Sequence, residues 1–490
     1  MTSEFQAIAD SIERELAEQA LPSLAVAAAK EGEIVWEQAF GWADRENRVP
    51  ATPHTPYSMA SISKPITTTA LMLLVQQGKL DLDAPANQYL GDAKLRAVFG
   101  DAEKATVRTL ANHTSGLPLH YQFFYADEPY ARPTMDETIR RYGNLVRMPG
   151  ERLQYSNLGF GILDYIISRV SGKPYRDFMR EQVFLPLGMF QSAVDLTPEM
   201  ERIQAVRYGG DGVRYPFYDF DHPGASAIYA SAHDLIRFGL LHTGAIMKDQ
   251  RAILLQEMLE QMRVATSAPG KLNGFGVGWN CETDADGVQV ISHSGGMGGV
   301  STLLLVVPEH KIVVTALANA GCGLPHRVAE EMLAVLLPDV GVRRKEAREA
   351  RKAEYEASQI PTSFKPGKSL TGEWRGTVRT IDREIPLTIK VKSGGDVHLQ
   401  LGDHLKALLN DAKLRDDEFK GIFVGELGVK DVGRRPHRLH LDLKLRGDSL
   451  TGCIIALTHI DGTEGGAPGR RTGNALCFAT TLQRTEKAEK

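Results

Sequence analysis

Cysteine is scarce and scattered in this chain of 490 residues: Cys281, Cys322, Cys453 and Cys477, with no CxxC pair. That argues against a zinc ribbon and a disulfide framework, and it sets the expectation of a reducing, cytoplasmic compartment. Long apolar runs are missing too. None approaches the roughly 20 uninterrupted apolar residues that a membrane span needs, so no membrane association is expected. The opening MTSEFQAIADSIERELAEQ places acids where a secretory leader needs a basic patch and an apolar stretch, and it reads as a polar amphipathic helix. Excess positive charge is absent. Lys plus Arg number 57 against 61 Asp plus Glu, a net charge of −4, which argues against a nucleic-acid partner. No GxSxG elbow appears, which disfavours a Ser-His-Asp α/β-hydrolase, and no HExxH or tight His/Asp run calls for a metal or other cofactor.

What is present is an ordinary globular mix, 42% hydrophobic and 24% charged, long enough for about two or three domains. LAVAAAKEGEIVWEQAFGWAD reads as two strands joined at Glu31-Gly32. SKPITTTALMLLVQQGKL is a helix that tolerates Pro65 because it lies in the first turn. Residues 80–260 mix helical periodicity with Pro- and Gly-rich loops. Strand-like runs follow at GVQVISHSGG, STLLLVVPEH and KIVVTALANAG, and the helix RVAEEMLAVLLPD closes this part. Strands at both ends with helices between them predict an α/β (α+β) domain over residues 1–340. It would be one antiparallel sheet of about five strands, covered by helices and carrying a helical insertion.

Residues 341–366 hold a dense charge run ending near a proline, read as a solvated linker or helix. Beyond them the hydrophobic period changes to two. REIPLTIKVKSGGDVHLQL is a hairpin turning at Gly394-Gly395-Asp396, and RLHLDLKLRGDSLTGCIIAL turns at Gly447-Asp448. With no long helix from about 370 to 485, residues 367–490 form a smaller all-β domain, expected to be a closed barrel.

Ser61-Ile62-Ser63-Lys64 is the sharpest local signal, and no other serine in the chain has lysine three positions on. Spaced by three at a helix start, the two side chains share a face within one turn. The serine lies among free backbone N–H groups able to stabilise an oxyanion, and a lysine in a dry site can act as general base.

Further segments make the pattern specific. YSMASISKPITTTALMLLVQQGKLDLDAPANQYL (57–90), VRTLANHTSGLP (107–118), PGERLQYSNLGFGIL (149–163), GFGVGW (274–279) and HSGGMGG (293–299) stand in one order across residues 20–335. Together they resemble the penicillin-recognising serine hydrolases, in the class C β-lactamase and CubicO-type branch, with Ser61 and Lys64 as the SxxK element. The resemblance implies that Tyr155 of Tyr155-Ser156-Asn157 shares the proton work with Lys64 while Asn157 orients substrate and lysine. Tyr142-Gly143-Asn144 is a second Tyr-x-Asn in a helix-like run without that context. For the third motif, Lys/His-x-Gly, the resemblance selects His293-Ser294-Gly295 over His222-Pro223-Gly224 and His242-Thr243-Gly244, with Gly296 offering an oxyanion N–H beside that of Ser61. Many lactamases have lysine where this chain has His293, so a fixed cation for a substrate carboxylate is less assured. His113 in NHTSGLP is expected to order a loop.

In the C-terminal part, Leu370-Thr371-Gly372-Glu373-Trp374 resembles the Gly-x-Trp opening of lipocalin-like barrels, with the Trp plugging one end. The Gly-rich loop 459–476 carries two adjacent arginines and could restrict the cleft. The expected activity is that of a serine hydrolase acting through an acyl-enzyme on Ser61, on small esters or peptide bonds, including those of D-residues. A β-lactamase or penicillin-binding carboxypeptidase-like activity and a non-catalytic ligand-binding protein are the alternatives. The expected partners are a small-molecule or short-peptide substrate and a homo-oligomeric copy of the chain.

Overall fold

The computed structural model describes residues 3–271, 273–358, 364–458 and 473–487. In the N-terminal part the sheet is wider than the five strands expected. Its eight strands are β1 (Ser23–Lys30), β2 (Glu33–Asp44), β3 (Val49–Pro50), β4 (Gly274–Phe275), β5 (Asn280–Thr283), β6 (Gln289–Met297), β7 (Val300–Val307) and β8 (Ile312–Ala318). They lie in the order β4-β5-β6-β7-β8-β1-β2-β3. The central strands are those the hydrophobic runs mark. The extra ones, β3, β4 and β5, are two to four residues long, too short to show a period.

β1 and β2 form the expected hairpin, with Glu31 and Gly32 both at positive φ (54° and 82°), as a two-residue turn that follows strand twist requires. β1 then pairs with β8 from Leu24↔Ala318 to Lys30↔Ile312, which brings the two ends of the domain together. Both faces of the sheet are buried. Ala25, Ala27 and Ala29 pack into one core with α2 (Ser63–Gln76), α3 (Asn157–Ser171) and α4 (Ala232–Thr243). Leu24, Val26 and Ala28 pack into the other with α1 (Ser3–Glu18) and α5 (Leu324–Leu336). α1 buries Phe5, Ile8, Ala9, Ile12 and Leu16, the i, i+3, i+4 stripe of an amphipathic helix. The charge run belongs to α6 (Pro338–Ser358), which begins before residue 341. Its Arg343 and Arg344 are tied to Asp284, Glu282 and Glu330 at 2.8–2.9 Å.

The C-terminal strands are β9 (Gly372–Arg379), β10 (Glu384–Val391), β11 (Val397–Leu401), β12 (Ala407–Leu408), β13 (Asn410–Arg415), β14 (Glu418–Phe423), β15 (His437–Arg446), β16 (Ser449–Thr458) and β17 (Ala475–Lys487). Their order is β12-β11-β10-β9-β17-β16-β15-β14-β13. The edge strands β12 and β13 are joined through buried Leu409, so the nine strands make a nearly closed barrel. Alternation fills it: Leu439, Leu441, Leu443 and Leu445 all point inward from β15. Trp374 is fully buried and donates its indole N–H to the Leu370 carbonyl at 2.9 Å. Cysteines remote in sequence become neighbours here. Cys453 on β16 and Cys477 on β17 pack in one small buried cluster, and both are free thiols. The loop of 459–476 lies almost entirely outside the described residues.

The barrel docks on the helical insertion through buried charge. Arg147, 1% exposed at its side chain, donates to Glu418 at 2.5 Å and to Asp442 at 2.6 Å. Arg141 and Tyr142 both donate to Asp431, and Lys444 and Arg446 both reach Glu151. Burial opposes ionisation of Glu151, yet the two cations hold its carboxyl at about 2. Breaking such a pair strands a buried charge, which typically costs about 3–5 kcal/mol. Arg147→Ala is therefore expected to lower the urea midpoint and expose the barrel to protease, with Arg147→Lys failing to restore the forked contact. An unchanged midpoint and cleavage pattern would show that docking does not depend on this arginine.

Candidate active site

Ser61 and Lys64 flank the junction of a 3-10 turn (Ala60–Ile62) and α2. Ala60, immediately before the serine, has φ +45°, so the chain enters Ser61 through a conformation that L-residues rarely adopt. The bend is held by neighbours. β6 passes so close to this segment that a Cβ at Gly295 would run into the Met59 carbonyl oxygen and the Thr302 hydroxyl. Glycine is required there by space, and it lets His293, Ser294 and Gly296 line the same cleft as Ser61.

Lys64 is fully buried, and its Nζ meets three groups: Ser61 Oγ at 3.0 Å, Asn157 Oδ1 at 2.8 Å and the Ala225 carbonyl at 3.2 Å. Burial pushes its pKa well below the usual lysine value, and no carboxylate accompanies it among these partners. A neutral amine has two hydrogens and one lone pair. Asn157 Oδ1 and Ala225 O can only accept, so they take the hydrogens and leave the lone pair facing the Ser61 hydroxyl. This geometry can remove a proton from Ser61.

Asn157 is the first residue of α3. Ser156 is the cap, its Oγ accepting from the Gly159 N–H at 3.4 Å, which leaves the Asn157 side chain free to turn to Lys64. Ala225 is a partner that the sequence does not advertise, because a main-chain carbonyl carries no residue signature. It lies in the short helix Pro223–Ser226, and the preceding residue is fastened by the Gly224 N–H donating to Asp164 at 2.6 Å. Burial pushes the Asp164 carboxyl up to about 8.

Tyr155 hydrogen-bonds to Ser61, and its ring lies 4.8 Å from Lys64 Nζ. Burial raises its pKa, opposed by the Ser61 contact, so the phenol keeps its proton. His113, at φ +62°, stacks on Tyr155 at 4.2 Å and accepts the Ser156 N–H at Nδ1, which orders the loop between α3 and the preceding strand-like segment. The other candidates part from the site. Tyr142 is spent on Asp431 of the barrel, His222 on Asp221, and His242 on Thr69.

His293 is buried at the cleft wall. Burial lowers its pKa to about 3, although Nδ1 lies 2.8 Å from the Ser294 carbonyl. Nδ1 therefore carries the proton, and Nε2 is left as an acceptor without a protein partner among the described residues. The cleft has a volume of about 450 Å³, with Phe275 as a further wall, and it extends toward His326, Glu330 and Arg344. Nothing stands within 4 Å of a Cβ built on Gly296, so this backbone faces open space. Two groupings of possible metal ligands occur among the described residues, Glu37/His54/His233 and His120/Asp221/His222, and neither includes a cleft residue.

The model of the beta-lactamase family matches residues 8–337. The chain belongs to the beta-lactamase family. It is accordingly an enzyme of the serine hydrolase class. Penicillin-binding protein 4* of Bacillus subtilis is 27% identical over 326 residues, 60% of this chain and 67% of that protein. The chain spans about two thirds of the length of the curated relatives it matches. Among solved structures, the octameric penicillin-binding protein homologue from Pyrococcus abyssi is 24% identical with a TM-score of 0.60, covering 96% of this chain and 99% of its own. A class C beta lactamase from Rhodobacter sphaeroides is 21% identical with a TM-score of 0.55, covering 68% of this chain and 99% of its own. The first likeness includes the barrel; the second is confined to about two thirds of the chain.

Two outcomes follow. Tyr155→Phe is expected to cut turnover by about 100-fold or more, within the range of lost acid–base catalysis, whereas Tyr142→Phe leaves it near wild type. Steady-state kinetics on the two variants decides it, and equal losses would contradict the placement of Tyr155. The second concerns pH. The folded pKa of His293 lies near 3 and its ordinary value is 6.5, so the unfolded chain binds the extra proton between these values. Its contribution to stability is complete above about pH 6.5 and is lost toward pH 3, at roughly 1.4 kcal/mol per pH unit per proton. His293→Asn should flatten that part of a urea-unfolding pH profile.

Proposed function

We propose that Ser61 is acylated by small esters or by amide and peptide bonds, including those of D-amino-acid compounds. The reading is carried by the desolvated Lys64 amine set 3.0 Å from the Ser61 hydroxyl with its other two contacts acceptors. Ser61 Oγ attacks the substrate carbonyl carbon as its proton passes to Lys64 Nζ. The oxyanion is held by the N–H groups of Ser61 and Gly296, where loss of one donor typically costs about 10²–10³ in kcat. The C–O or C–N bond then breaks, and the leaving alcohol or amine takes a proton through Tyr155, which Lys64 replenishes. Water repeats the sequence on the acyl-Ser61 ester and releases the acid. Asn157 orients the lysine and the substrate, and Ser294 and Gly295 carry the strand edge along which the substrate lies.

The choice of substrate rests on His293. A neutral imidazole gives a substrate carboxylate no cation. The cation at the far end of the cleft, Arg344, is already bound to Glu282 and Glu330. This supports an esterase or peptidase of the CubicO-type branch over a β-lactamase, whose substrates carry a carboxylate. We further propose the division into a catalytic domain of residues 1–340, a connection of 341–366 and a lipocalin-like domain of 367–490. Homo-oligomerisation, described for the Pyrococcus abyssi homologue, is extended to this chain on the same footing. So is a cytoplasmic location, which the four free cysteines support. Among the described residues no helix is long and apolar enough to cross a membrane.

The test compares wild type and Ser61→Ala on a short-chain nitrophenyl ester, a D-alanyl anilide and nitrocefin. Ester or anilide turnover that vanishes with Ser61, at least about 100-fold above nitrocefin turnover, is expected. Nitrocefin as the best substrate would favour the β-lactamase reading. Silence toward all three from a folded protein would favour a ligand-binding role.

A further inference from the structure

Away from the cleft, three side chains that are remote in sequence converge on the surface: Glu37 on β2, His54 in the turn before the short strand Tyr57–Ser58, and His233 in the first turn of α4. Each offers one ligand atom, and these atoms lie within 4.8 Å of one another. His233 Nδ1 is 2.9 Å from Glu37 Oε2, and the two imidazoles are in contact, with ring centroids 4.6 Å apart. The second grouping, His120/Asp221/His222, is fully buried, and both Asp221 oxygens are already used at 2.6 Å, one by each histidine. It is closed. The first is open, with His54 exposed and the Glu37 and His233 side chains 28% and 22% exposed.

The backbone that carries the open trio is set independently of any ligand. The Thr52 N–H donates to Thr55 Oγ1 at 2.9 Å, the His54 N–H to Thr52 Oγ1 at 3.2 Å, and the His233 N–H to the Pro53 carbonyl at 3.1 Å. The turn and the start of α4 are thus fixed to each other, and Glu37 is fixed by the sheet. Two imidazole nitrogens and one carboxylate oxygen are the donor set of a three-ligand zinc site with one position left for water. In tetrahedral zinc, bonds of about 2.0–2.1 Å set donors roughly 3.4 Å apart. The Glu37–His233 pair is already near that spacing, and rotation of the exposed His54 ring supplies the third donor.

We propose that Glu37, His54 and His233 form a binding site for a zinc-type divalent cation. Binding puts the metal in place of the hydrogen bond between His233 Nδ1 and Glu37, and the ligating imidazole then carries its N–H on Nε2. The ion joins β2, the 52–55 turn and α4. Because that turn runs through Tyr57–Ser58 directly into Ser61, the site braces the segment that delivers the nucleophile, and its role is structural.

The experiment is calorimetric titration of untagged, chelator-stripped, full-length protein with zinc chloride, and with magnesium chloride in parallel. One zinc ion per chain is expected, with no saturable magnesium uptake. His54→Ala, His233→Ala and Glu37→Gln should each raise Kd at least about tenfold, while His404→Ala in the barrel leaves it unchanged. Zinc should also raise the melting temperature of the wild type but not of His54→Ala/His233→Ala. Absence of stoichiometric zinc uptake, uptake that survives the double substitution, or equal affinity for magnesium would overturn the proposal.

Discussion

The active cleft depends on a single desolvated amine. Lys64 lies buried where no carboxylate compensates a positive charge, and the oxygens that surround it, one hydroxyl and two carbonyl acceptors, come from three separate parts of the chain. Each of those parts must therefore be positioned to within hydrogen-bond tolerance: the 3-10 turn before α2 for Ser61, the start of α3 for Asn157, and the short helix of Pro223–Ser226 for the Ala225 carbonyl. The helical insertion and the sheet are arranged around that requirement. Asp164 fastens Gly224, Ser156 caps α3 so that Asn157 can turn inward, and Gly295 lets β6 close against the residues before Ser61.

The same low-dielectric setting acts on every titratable neighbour in one direction. It favours the uncharged forms of the Lys64 amine, the Tyr155 phenol and the His293 imidazole, so the end of the cleft beside Ser61 presents donors and acceptors rather than ions. A cleft of this kind discriminates by hydrogen-bond complementarity, with Phe275 and Tyr155 as its aromatic walls. The strain at Ala60 is tolerable because β6 and the short strand Tyr57–Ser58 fix the backbone on either side.

Much of this was legible in the amino-acid order. Ser61 and Lys64 are linked by helical spacing, and the Tyr155 and Asn157 segment is distinguished from Tyr142-Gly143-Asn144 by its context. The period-two alternation of residues 370–485 announces the barrel before any contact is known. What was hidden falls into two physical kinds. Main-chain partners such as the Ala225 oxygen have no side-chain identity to read. Contacts made across the fold, such as Arg147 with Glu418 and Asp442, Cys453 with Cys477, or Glu37 with His54 and His233, have no spacing that could betray them. The charge run at 341–358 was ambiguous for a third reason: arginines and glutamates suit solvent and salt bridges equally, and only the acids on β5 and α5 decide between them.

The ion pairs under the barrel have a consequence for the order in which the molecule is completed. Arg147 meets its partners across sequence separations of 271 and 295 residues, so a ribosome finishes the family-matched residues 8–337 before the matching carboxylates exist. Through that interval Arg147 has to remain hydrated, and the insertion beside the cleft is an unfinished surface. Docking over so long a loop cannot begin until those carboxylates have been made, and it converts an exposed cation into a buried one. A chain interrupted before β14 would hold every residue around Ser61 and yet carry an arginine without Glu418 or Asp442 where the finished protein has an interior.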